Sequence, residues 1–105
     1  DPYDLLVLDE VDTGVSGRVA SLVARKIRTI AESSQVLVIS HLPQVVASAT
    51  IGVRISKKVV DGKTYTTASQ LSDGDFVLSI GSMLSGSSLT EEAKEQAEKL
   101  IEEFR

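Results

Sequence analysis

Asp9 and Glu10 stand side by side at the end of an aliphatic run, Leu5-Leu6-Val7-Leu8, and Asp12 follows in the loop Val11-Asp12-Thr13-Gly14-Val15-Ser16-Gly17. Successive side chains of an extended chain point to opposite faces, so two adjacent carboxylates at a strand end can serve two tasks. One can help to hold a hard cation such as Mg²⁺ while the other orients and deprotonates a water. The single histidine, His41, directly follows a second aliphatic run, Gln35 to Ser40. Taken separately, each feature has an ordinary counterpart: a solvated strand end leading into an acidic turn, and a structural or exposed histidine. The choice depends on the elements that carry these residues.

Continuous apolar runs, rather than alternating ones, predict strands of a parallel sheet covered on both faces. Between the two runs, residues 16–32 read as a helix. Val19, Val23, Ile27 and Ile30 recur at three- and four-residue spacing, Leu22 and Ala31 widen the stripe, and Ser16 is placed to cap the N-terminus. Strand, helix and strand in this order form a βαβ unit, whose two strands end at the same edge of the sheet. Ligands of open α/β sheets bind at that edge, and it brings His41 to the same rim as Asp9 and Glu10. A parallel sheet needs neighbours on either side, yet only Asp1-Pro2-Tyr3-Asp4 precedes the first strand. The expectation is therefore the C-terminal part of a larger domain.

Further along, Leu42 to Ala49 can form a short helix with Pro43 in its first turn. Residues 51–60 and 64–71 flank Asp61-Gly62-Lys63 and read as a hairpin, with Asp-Gly suited to a type I′ turn or a short bulged loop. Residues 75–84 predict a short helix interrupted by Gly81, and 85–88 a loop. Residues 90–105 predict a helix capped by Thr90, with Glu91 and Glu92 in the first turn and Ala93, Ala97, Leu100, Ile101 and Phe104 on one face. The fold class that results is α/β: parallel strands with a crossover helix, then a β-hairpin and C-terminal helices.

Composition bounds the rest. With 105 residues, 42% hydrophobic and 25% charged, the chain reads as one globular unit. At this size only about 60–70% of the unfolded surface is buried, which leaves little stability to spare. The formal charge is −4 and no basic tract stands out, so non-specific nucleic-acid affinity is not expected from this segment. The absence of cysteine, of an apolar run approaching about 20 residues and of a signal peptide favours the cytoplasm and no membrane. Gly62-Lys63-Thr64 resembles the end of a phosphate-binding P-loop. That motif needs a glycine where Lys57 stands, and a strand-to-helix setting. The hairpin turn accounts for it, and the chain carries no P-loop.

An aliphatic strand ending in Asp-Glu has the form of a Walker B motif. The blocks LLVLDEVDTGVSGRVA, QVLVISHLPQVVASA, ISKKVVDGKTYTTASQL and MLSGSSLTEEAKEQAEKL, in this order along nearly the whole chain, resemble the C-terminal part of the ATPase head of the RecN family. These are bacterial DNA-repair proteins of the SMC-like, ABC-type ATPase class. The DE-VDTGVSGR and SHLPQ blocks are the specific part, since LLVLDE alone fits any ABC-type ATPase.

The resemblance implies roles by position. Asp9 corresponds to the Walker B aspartate, reaching Mg²⁺ through water, and Glu10 to the catalytic glutamate. Residues 12–17, with Asp12, Thr13, Gly14, Ser16 and Gly17, correspond to the D-loop that crosses to a second head, and His41 to the switch histidine on the γ-phosphate. It further implies ATP and Mg²⁺ as cofactors of the complete protein and an N-terminal part of the same head carrying Walker A. A second head in an ATP-dependent homodimer, DNA as the partner of the complete protein and a place on the bacterial nucleoid are implied as well. The present chain would be its C-terminal lobe segment over residues 1–105, inactive alone. Two other readings stand beside it: a head fragment of another SMC or ABC-type ATPase, and a non-enzymatic interaction module.

Overall fold

The computed structural model describes residues 5–9, 16–86 and 88–105. Leu5–Asp9 (β1) and Gln35–Ile39 (β2) pair in parallel, with Leu5 opposite Gln35 and Asp9 opposite Ile39. Gly17–Ala31 (α1) is the crossover between them. Its N-cap is Ser16, as the sequence predicts. Pro43–Ala47 (α2) is a five-residue helix with proline in its first turn. Val53–Val60 (β3) and Lys63–Gln70 (β4) form an antiparallel hairpin, followed by the helices Asp73–Ser85 (α3) and Glu91–Glu103 (α4). The order of elements is the predicted one.

The core lies among α1, α2, α3 and α4, with α1 also lying against β2. Ala24, Ile27, Val45, Ala47, Phe76, Ile80, Ala97 and Phe104 form it, and Leu8, Val36 and Val38 pack against it from the strands. Ile80 is its largest fully buried side chain. Continuous apolar strands predict cover on both faces, but among the described residues only one has it: Leu5, Val7, Leu37 and Ile39 point outward and are exposed. The α1 stripe is also rotated from its predicted position. Ala20, Ala24 and Ile27 are buried, whereas Val19 and Leu22 are exposed, Leu22 at 63%. Alanine lets the helix axis approach its neighbours closely, and the larger residues fall on a flank that none of the described residues covers.

Gly81 does not interrupt α3. The helix runs through it, because a Cβ at this point would lie 2.6 Å from Leu89 Cδ1 and 3.6 Å from the backbone of Ala93 and Lys94. The missing side chain lets the start of α4 and the residue before its cap close on α3. Thr90 caps α4, its Oγ1 accepting from Ala93 N–H at 3.0 Å. The hairpin turn Asp61-Gly62 has both residues at positive φ, 51° and 76°, which identifies the type I′ geometry that asparagine, aspartate and glycine favour.

Two arginines hold the short helix α2. Arg28 Nη1 donates to Ser48 O at 2.6 Å, and Arg105 Nη2 donates to Ala49 O at 3.0 Å. These carbonyls end α2, where cationic donors meet both the free acceptors and the negative end of the helix. An ion pair from Arg25 to Glu103 at 3.0 Å, with the Arg25 guanidinium 5.3 Å from the Phe104 ring centre, ties α1 to the end of α4. The ion pair is exposed, so its share of stability is below about 1 kcal/mol. Ile80→Ala should lower stability in urea unfolding by about 2–5 kcal/mol. Leu22→Ala should change it by less than about 0.5 kcal/mol; equal losses for the two would contradict this placement of the core.

Candidate active site

Parallel pairing and the α1 crossover put three pieces of chain at one rim: the end of β1, the start of α1 and the loop after β2. Asp9 is the last residue of β1, is exposed, and pairs in register with Ile39. His41 follows Ile39 by two residues and is exposed too. Neighbouring strands lie about 4.8 Å apart and two extended residues add about 6.6 Å, so the backbones at Asp9 and His41 are within about 8 Å. At His41 the chain leaves the strand, and Leu42 N–H donates to Ser40 Oγ at 3.0 Å. A carboxylate and an imidazole at this separation can face one small anion and its hydrated cation from two sides.

Ser16 and Gly17 open α1 at the same rim. The Ser16 hydroxyl accepts from Val19 N–H at 3.4 Å, a long capping bond. At Gly17 an added Cβ would lie 3.1 Å from Gln44 Nε2, so the Gln44 amide rests against the first turn of α1. Gln44, in the short helix after the His41 loop, thereby meets the start of α1. Its Oε1 is buried and has no hydrogen-bond partner among the described residues. Buried acceptors are paired in native proteins as a rule, and an unpaired one costs about 1–3 kcal/mol. Gln44 is absent from the residues singled out by sequence. The available signal was its place in the block Ser40-His41-Leu42-Pro43-Gln44.

The structure therefore brings Asp9, Ser16, Gly17 and His41 to one edge. Glu10, Asp12, Thr13 and Gly14 lie outside the described residues. Among the described residues no group of three histidine, cysteine, aspartate or glutamate side chains is placed to hold a metal by itself. Asp9 offers one carboxylate at this edge, and Mg²⁺ can be held by one or two carboxylates together with water and phosphate oxygens. Two hollows among the described residues lie elsewhere, along α3 and α4 at Val77, Glu95 and Ile101 and around Arg25, Arg28 and Arg105. The rim is an open edge, and no helix among the described residues is long and apolar enough to cross a membrane.

No protein-family model matches the chain. Curated relatives do. The chain is 50% identical over 97 residues to the DNA repair protein RecN of Halalkalibacterium halodurans, a match covering 92% of the chain and 17% of that protein. It is 45% identical over 98 residues to RecN of Bacillus subtilis, covering 93% and 17%. It is 38% identical over all 105 residues to RecN of Xylella fastidiosa, covering 19% of that relative. The chain thus spans less than a fifth of the length of the relatives it matches. Similarity at this level along nearly the whole chain, on a βαβ unit of the expected order, means that the chain belongs to the RecN family as a segment of those proteins.

Proposed function

We propose that this segment is the C-terminal part of a RecN-type ATPase head, and that in the complete protein it supplies the cation-binding and water-activating edge of an ATP site used in DNA repair. The observation that carries the reading is the register of β1 on β2, which puts Asp9 and the His41 loop at one edge. The family match, with DNA repair in the names of its relatives, supports it.

Each residue has a task in this reading. Asp9 holds Mg²⁺ through water, and Glu10, next in sequence, orients and deprotonates the attacking water. His41 donates to the γ-phosphate from the neighbouring strand. Asp12, Thr13, Gly14, Ser16 and Gly17 form the D-loop at the boundary with a second head, and Gln44 sets the His41 loop against it. The N-terminal part of the head contributes the phosphate-binding loop. Phosphoryl transfer relies on positioning and electrostatics supplied by several groups together. A rim without that loop has little to grip a triphosphate.

Glu10→Gln in the complete protein should leave ATP binding and head dimerisation intact and slow hydrolysis by at least about 100-fold. Turnover equal to that of the parent would remove Glu10 from the chemistry. His41→Ala should also lower turnover, and unchanged rates would assign the histidine a structural role. In isothermal titration the separate 105-residue chain should show no ATP binding in the micromolar range; a clear isotherm there would contradict the division of the site between two parts of the head.

A further inference from the structure

Every residue from Val53 to Gln70 is exposed. This hairpin holds Arg54, Lys57, Lys58 and Lys63 against one acid, Asp61, a balance of +3 in a chain whose total is −4. Everything outside the hairpin is therefore at −7. The register then sorts the charges by face. Residues opposite one another across an antiparallel pair share a face, and neighbours along a strand alternate. Lys58 pairs with Tyr65, Val60 with Lys63, Ser56 with Thr67 and Arg54 with Ser69, which collects three cations, a phenol and hydroxyls on one side. Lys57 pairs with Thr66 on the other side, together with the apolar residues Val53, Ile55 and Val59. The cationic side carries no carboxylate.

Arg54 is fixed at the root of the hairpin, its Nη2 donating to Ser79 Oγ of α3 at 3.1 Å. From Arg54 to Lys58 the face runs about 13 Å along the strand. Duplex DNA presents one phosphate per about 3.4 Å of axis on each strand. Cations set along an extended ribbon can therefore meet successive phosphates, while serine, threonine and tyrosine hydroxyls donate to phosphate oxygens without reading base sequence. An extended, hydroxyl-lined ribbon with every residue exposed suits a linear polyanion better than a compact anion.

We propose that the Arg54, Lys58 and Lys63 face of the hairpin is a sequence-independent contact for the phosphate backbone of duplex DNA. The proposal rests on the reading of the complete protein as one that acts on DNA. It differs from the expectation drawn from composition, because the cations are scattered in sequence and gather only through strand register.

The test is fluorescence anisotropy of the complete protein with a labelled random-sequence duplex, without ATP, between about 50 and 200 mM salt. Lys58→Ala/Lys63→Ala is compared with Lys26→Ala/Lys57→Ala, which removes the same charge from α1 and from the opposite face of the ribbon. The first pair should reduce the slope of log K against log salt by about 2 in magnitude. The second pair should leave that slope unchanged, and basal ATP turnover should match the parent in both, confirming the fold. Equal reduction by both pairs would mean diffuse charge and overturn the assignment. An unchanged slope in both, the result expected if this face serves an acidic protein partner, would overturn it as well. A parent that binds no duplex would overturn the DNA reading along with the hairpin contact, whereas a binding parent with insensitive variants removes the hairpin alone.

Discussion

The parallel register of β1 on β2 is the constraint on which the rest of the arrangement depends. Once Asp9 stands opposite Ile39, the carboxylate end of one strand and the His41 loop of the next must share an edge. The α1 helix that makes this possible has to start at the same edge, which places Ser16 and Gly17 there too. The short helix α2 keeps that edge in place. Arg28 and Arg105 hold its last carbonyls, and its Gln44 leans on Gly17. A helix of five residues has little stability of its own, so its position comes from these contacts and from the burial of Val45 and Ala47.

The same arrangement leaves much apolar surface open. One face of the β1–β2 pair, the Val19 and Leu22 flank of α1, and one face of the hairpin carry exposed aliphatic residues. The core that remains is small and rich in alanine. A radius of gyration of 14.7 Å, against about 13 Å for a compact domain near this size, agrees with an extended hairpin and uncovered layers. Surface of this kind gains stability when covered, about 25 cal/mol for each Å² of apolar area. In the function proposed above, a second stretch of a longer protein would complete the head and supply that cover.

Most of the element order was legible in the sequence because local signals agreed with one another. Ser16 and Thr90 are caps in the structure, Pro43 opens α2, and Asp61-Gly62 makes a type I′ turn. The differences arise where tertiary contact overrides local pattern. Gly81 reads as a helix breaker, yet serves the close approach of Leu89 and α4. Val19, Leu22 and Ala31 read as core, yet the close-packed line runs through Ala20 and Ala24, since periodicity finds an apolar stripe without saying which edge of it meets a neighbour. Asp9, Glu10 and His41 stand out in the sequence as residues able to do chemistry; the structure places Asp9 and His41 at one edge, and Glu10, Asp12, Thr13 and Gly14 lie outside the described residues. Gln44 did not stand out, because an amide in a short helix shows its purpose only when the element it touches, here the first turn of α1, is known. Lys57 and Lys58 are adjacent in sequence, and strand alternation puts them on opposite faces of the hairpin.

The central claim is that this rim is one side of an ATP site. The most direct measurement is a crystal structure of the complete protein with Mg²⁺ and a non-hydrolysable ATP analogue. The account predicts Asp9 one water away from the ion, Glu10 facing the in-line position behind the γ-phosphate, and a His41 nitrogen within hydrogen-bond distance of a γ-phosphate oxygen, about 3 Å. A nucleotide bound with the Asp9 and His41 rim turned away from its phosphates would contradict it.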